Sequence, residues 1–517
     1  MSQLKDIEEM ILDEDFASLK EYIEQCDKSE VNKQNEKGDT SLHIATEHIR
    51  QLLLKGDSIT DGLKDIVLYL AKNLDVNIRN NAKCLAVHSL FNTAREHCDC
   101  LLPLFDALLN EQNVNEACYL QYRGDEKENY LSRQIQKENW GVIRLVLRKG
   151  LDINVALSHK REFTALDFVT FCESDDVPED IIKRFSSAET INRFNGSKFT
   201  PLMTAAVRGK SNMVLQLIEN GAEITSRDEE GRTALLEGLI GCGLTDEAVM
   251  ALFHPSTVNA KSAISGVNPI INAVLNASNF VISELLNAGA DVTVHAPDGM
   301  LPLDLYCNWT RNVIKANIIE RLLIPGIEHM ASNVISLFFV RYLQSPPEDY
   351  DEVRLCFRAL FLGAQKEDFF LYHRCRYSFE DKKFEITLYG KSKDQKVSDS
   401  DLHEELHKLS IGHLRTICQV LRNGIDCRKG PESLTLILSG LENAEIVQEA
   451  GEIDALWTEP LSLIQECCFT IRASIVCPTV DKIHSLGLPK KIVDILCFAE
   501  LTDELVSEIE KHHKEGN

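Results

Sequence analysis

His403-Glu404-Glu405-Leu406-His407 has the spacing of a zinc hydrolase. On a helix, His403 and His407 would share one face, Glu404 could serve as general base for a metal-bound water, and His413 stands where a third ligand belongs. Two features oppose that chemistry. Ser410 occupies the position where such a site turns the chain on glycine, and no methionine follows Met330 to form the turn beneath the metal. Histidines and glutamates are also common on a polar helix face, and Gly412-His413 fits a turn between two helices. No catalytic residue, no metal site and no cofactor is therefore expected.

Composition narrows the function classes further. The 16 cysteines are scattered without a Cys-x-x-Cys pair and read as small reduced core residues. Eighty acidic residues against 55 basic ones give a formal charge of −25, the wrong sign for a phosphate backbone, so no nucleic-acid partner is expected. Acidic charge could favour basic client segments, but it serves solubility equally well and names no client. Met1 to Glu24 lacks the basic start and apolar run of a secretory signal. The apolar stretch Val334 to Val340 is closed by Arg341, far short of the roughly 20 residues a spanning helix needs, so no membrane partner is expected either. The expected location is cytoplasmic or nuclear.

A chain of 517 residues exceeds the roughly 250 to 300 at which single cores stop growing, so internal repetition is the first thing to seek. Gly38-Asp39-Thr40-Ser41-Leu42-His43-Ile44-Ala45 finds echoes in Phe199-Thr200-Pro201-Leu202 and Gly231-Arg232-Thr233-Ala234-Leu235. Each reads as a threonine cap followed by a leucine that enters the core between stacked units. Marking that aliphatic gives Leu42, Leu85, Leu131, Leu166, Leu202, Leu235, Ile270 and Leu303, with successive separations of 43, 46, 35, 36, 33, 35 and 33. Second helices end on glycine in Leu217-Ile218-Glu219-Asn220-Gly221-Ala222, around Gly289 and around Gly150, as a left-handed stop requires. These openings and stops resemble ankyrin repeats, whose period is about 33. The longer early separations suggest a loop inserted over Leu52 to Gly62, between the two helices of the first repeat.

Beyond Pro325 the pattern weakens. Phe369 to Tyr389 alternates around Glu380-Asp381-Lys382-Lys383, a candidate β-hairpin insertion. Gly390 to Ser400 reads as a linker, and Gly412 to Asp426 again resembles the second half of an ankyrin repeat. After Pro460, Leu463, Cys467 and Ile471 recur every four residues, one stripe of a helix.

Ser462-Leu463, Cys467 and Ile471 resemble the elongin-binding box of SOCS-box proteins, and Leu486-Gly487-Leu488-Pro489-Lys490-Lys491-Ile492 follows where that family carries its cullin-selecting box. The whole chain resembles the ankyrin repeat and SOCS box proteins. The resemblance implies that Leu463 enters a pocket of elongin C, with Cys467 and Ile471 extending the apolar contact, a helix-in-groove mode. It further implies that Leu486, Leu488 and Pro489 form a stiff turn before a helix that meets the cullin through Ile492, with Leu496 on the same apolar face. Gly487, where the family usually has proline, and Ile495, where an aromatic is common, depart from the pattern.

The expected architecture is thus all-α, an ankyrin-repeat solenoid followed by a small helical C-terminal SOCS box. A helical cap spans 1–35, about eight repeats 36–326, a divergent helical region with degenerate repeats 327–456 (candidate hairpin at 369–389), the box 457–500 and a tail 501–517. The expected role is a non-catalytic adaptor that holds an unknown client protein and tethers elongin B/C and a cullin-RING scaffold. The rivals are a plain ankyrin scaffold whose last helices only cap the array, and the zinc hydrolase of His403, His407 and His413.

Overall fold

Threonine or asparagine opens the first helix of most repeats, and its side chain accepts the N–H three residues on. Thr40, Asn129, Thr164, Thr200, Thr233 and Asn268 all do so. Each bond satisfies one of the N–H groups that a helix start leaves unpaired. Two residues after these caps come the marker aliphatics, and all eight, Leu85 included, are at most 2% exposed. The repeat register expected from spacing is therefore the register of the core.

The computed structural model describes residues 2–27, 31–91, 98–119, 129–155, 162–241, 243–309, 312–323, 349–363, 375–378, 383–386, 462–475 and 478–515. They fall into two units, Met1–Thr257 and Val258–Asn517.

In the first unit, α1 (Ser2–Leu12) and α2 (Phe16–Gln25) precede α3 (Ser41–Lys55), α4 (Asp61–Asn73), α5 (Val87–Phe91), α6 (Cys98–Leu108) and α7 (Val114–Tyr119). Then come α8 (Tyr130–Gln136), α9 (Trp140–Arg148), α10 (Ala165–Thr170), α11 (Glu179–Phe185), α12 (Pro201–Val207), α13 (Ser211–Glu219), α14 (Ala234–Ile240) and α15 (Asp246–Ala251). First helices stack in series, α1 on α3, then α5, α8, α10, α12 and α14; second helices α2, α4, α6, α9, α11, α13 and α15 form a parallel row. Each helix pair buries its apolar stripe only against its neighbours, the energetic logic of a solenoid.

Two histidines knit the early repeats. The His43 ring contacts its own Thr40 cap and places Nε2 2.9 Å from the Cys84 carbonyl of the next repeat. His88 Nδ1 accepts the Leu85 N–H at 2.7 Å, so Nε2 carries the proton and donates to the Ala117 carbonyl at 3.2 Å. Burial lowers the pKa of both rings, that of His88 to about 4.

The loop expected over Leu52 to Gly62 is shorter than its spacing suggests. Ile49 and Leu53 remain buried one turn apart, so α3 runs on to Lys55, and Gly56 stops it at φ 85° before α4 begins at Asp61. At the second-helix stops, Gly150, Gly221 and Gly289 take φ of 91°, 94° and 80°, as expected of them.

In the second unit, α16 (Pro269–Asn276), α17 (Asn279–Asn287), α18 (Pro302–Trp309) and α19 (Ala316–Leu322) continue the paired stacking, and α20 (Tyr350–Gly363) packs on α19. Strands β1 (Cys375–Ser378) and β2 (Lys383–Ile386) pair antiparallel, from Cys375 opposite Ile386 to Ser378 opposite Lys383. The hairpin lies within the stretch whose alternation suggested it. The linker at 390–400, the degenerate repeat at 412–426 and the histidines of the zinc motif lie outside the described residues. The C-terminal helices are α21 (Leu463–Ser474), α22 (Val480–Ser485), α23 (Lys490–Leu496) and α24 (Ala499–Glu515). Residues assigned from sequence to a tail thus continue a 17-residue helix. No helix among the described residues is long and apolar enough to cross a membrane.

Candidate protein-docking site

Ser462 opens α21 with a capping box. Its Oγ accepts the Gln465 N–H at 3.3 Å, and its own N–H donates to Gln465 Oε1 at 2.7 Å. That start sets the rotation of the helix and hence which stripe looks outward. Leu463 is 77% exposed, Cys467 is exposed and Ile471 is 42% exposed, while Cys468 and Arg472, each one position on, are buried. Ile464 widens the outward stripe.

The second box follows α22, whose Ile483 is fully buried. Leu486, Leu488 and Pro489 are exposed in the turn, and Gly487 adopts φ 65°. Proline, locked near φ −65°, cannot take that conformation, so the glycine departure noted from sequence belongs to the turn's geometry. In α23, Ile492 and Ile495 face outward, whereas Val493 and Leu496 face inward. The one-turn spacing predicts an outward face shared by Ile492 and Leu496, but Leu496 turns inward. It is only 1% exposed, drawn into the core of its own module. The described apolar side chains of both boxes are thus outward at Leu463, Cys467, Ile471, Leu486, Leu488 and Ile492.

What holds this surface up is a seam that sequence reading missed. Beyond α23 the chain turns at Phe498 and α24 packs on α20. The α24 side chains Thr502, Leu505, Val506 and Ile509 are all buried. Arg354 of α20 pairs with Asp503 at 2.6 Å, and Arg358 Nε donates to Thr502 Oγ1 at 3.4 Å. Burial lowers the Arg472 pKa to about 10, which still leaves the guanidinium charged at neutral pH. The only sequence signal for the seam was the spacing of Leu505 and Ile509, too common in helices to single out.

In the first unit, a polar cluster sits at the base of one inter-repeat loop. Arg232 lies 2.7 Å from Asp228, 3.3 Å from Glu230 and 3.2 Å from Glu237, and its guanidinium is 5.1 Å from the centre of the Phe199 ring. Burial raises the Glu237 pKa, and Arg232 opposes it. The cluster ties the loop before α14 to that helix.

Residues 188–236, which include all of this cluster but Glu237 and run from before α12 to the start of α14, match the family model of ankyrin repeats in many copies. That segment is built on ankyrin repeats. The chain also matches a solved structure described as the ankyrin repeat domain of Bcl-3, a unique member of the IkappaB protein family. Identity is 16%, covering 48% of this chain and 96% of that one, with a TM-score of 0.34. A search of curated proteins finds no match. Ankyrin arrays act as protein-interaction modules, since stacked repeats offer an extended side-chain surface for a partner. Among the described residues, no group of three or more histidine, cysteine, aspartate or glutamate side chains could hold a metal ion.

Proposed function

We propose that the chain is the substrate-recruiting subunit of an elongin B/C-cullin-RING ubiquitin ligase, an ankyrin repeat and SOCS box protein that acts in the cytoplasm or nucleus. The ankyrin array holds a client protein, α21 engages elongin C through Leu463, Cys467 and Ile471, and the turn Leu486, Leu488, Pro489 with Ile492 meets the cullin. Catalysis is by proximity: a conjugating enzyme's charged ubiquitin meets client lysines at high effective concentration, with no chemistry from this chain.

The observation that carries the reading is the outward stripe of α21. A helix that only capped the array would turn its most apolar residues inward, yet Leu463 is 77% exposed on a helix whose other side is buried. An exposed apolar stripe flanked by a second exposed apolar turn suits a partner helix groove.

The test is affinity purification of the full chain beside Leu463→Ala. An anchor residue of this kind carries more than about 2 kcal/mol of binding, so the variant should lose elongin B/C while keeping its clients. Equal elongin retention by both proteins would remove Leu463 from the site. No retention by the wild type would favour a plain ankyrin scaffold, a reading that the packing of α24 on α20 also suits.

A further inference from the structure

Phe498 stands where three elements meet. Its backbone is left-handed at φ 60°, a strained conformation for an aromatic residue, and it is 5% exposed. The ring centroid lies 5.2 Å from that of Phe361 in α20, and the Arg472 guanidinium of α21 sits 3.6 Å from it. Such strain persists where surrounding contacts over-determine it. Here those contacts come from the end of the array on one side and from the docking helix on the other.

The two roles weighed for these helices, cap and docking element, are therefore not exclusive. The inward side of α21 carries Arg472 and joins the cap, and the outward side carries Leu463 and Ile471. Detaching α21 from α20 would break either the Arg472–Phe498 contact or the Phe498–Phe361 contact.

We infer that Phe498, clasped by Phe361 and Arg472, is a positioning residue that joins α20 and the docking helices into one cooperative block, so that the ligase-facing stripe is presented at a fixed attitude to the end of the array. The part of this inference that concerns ubiquitin transfer rests on the ligase reading; the coupling of the helices does not. A hinged box would let a tethered ubiquitin sweep many lysines. A riveted one confines it to few.

Phe498→Gly in the full chain removes the ring while glycine accepts the left-handed backbone, and Phe498→Tyr keeps the ring. Hydrogen exchange should rise together in Tyr350–Gly363 and Ala499–Glu515 by about tenfold in the glycine variant and stay at wild-type rates in the tyrosine one. With purified elongin B/C and a cullin-RING ligase, ubiquitin should fall on a small set of the chain's own lysines in the wild type and in Phe498→Tyr. It should spread in Phe498→Gly at equal elongin retention.

Asp503→Arg, rescued by Arg354→Asp in the same chain, probes the seam independently where the glycine variant fails to fold. Exchange in Tyr350–Gly363 that stays at wild-type rates in both loosened variants overturns the coupling. An unchanged lysine pattern despite raised exchange overturns the positioning role. A wild-type chain that retains no elongin B/C overturns the ligase reading alone, and exchange still decides the coupling.

Discussion

The Asp175 carboxylate accepts the backbone N–H of Asn212 at 2.9 Å, and its other oxygen accepts that of Met213 at 3.2 Å. Helix α13 begins at Ser211 after Lys210, whose side chain makes no cap bond. The cap comes instead from the preceding repeat, so one carboxylate joins two repeats. Asp175→Ala should destabilise the first unit by about 1 kcal/mol, the usual cost of a lost N-cap. A denaturation midpoint equal to the wild type's would show that the bond is idle.

His88 gives the first unit an acid-sensitive joint. Its folded pKa, near 4, lies below the ordinary value of 6.5, so the unfolded chain takes up the proton first as pH falls. The stability it contributes is full above pH 6.5 and lost toward pH 4, with an upper size of about 3 kcal/mol. His43 shifts in the same direction. Urea melts of the wild type should weaken from pH 7 to pH 5, and His88→Gln should flatten that slope; parallel slopes would clear the ring of this role.

Leu463 and Leu496 separate docking from folding. Truncating exposed Leu463 to alanine should leave the melting temperature within error, whereas truncating buried Leu496 should cost about 2 to 5 kcal/mol. Calorimetry on both variants checks this. Comparable losses would mean that Leu463 also supports the fold.

Gly487 is the family departure with a structural cause. Gly487→Ala has open space around the new Cβ, so strain at φ 65° alone should cost about 1 kcal/mol. Gly487→Pro, nearer the family pattern, should disrupt the turn more severely because its φ cannot become positive. Exchange rates in Val480–Ser485 and Lys490–Leu496 that match the wild type in the proline variant would contradict the turn geometry.

Signals carried by residues within a turn or two of each other were legible in the chain. The Thr40, Thr200 and Thr233 caps, the glycine stops and the roughly 33-residue return of a core aliphatic depend on local backbone chemistry, so they placed the repeat register. The stripe of Leu463, Cys467 and Ile471 was legible for the same reason, since the period of 3.6 says which residues share a face. It does not say what that face meets. Leu53 carried α3 past its expected stop, Asp175 caps a helix in the next repeat, and Leu496 turned inward while Ile492 stayed out. Phe498 gathered Phe361 and Arg472 from far along the chain. Each of these was decided by which distant helix competes for an apolar face or an unpaired N–H, and only the tertiary packing resolves that competition.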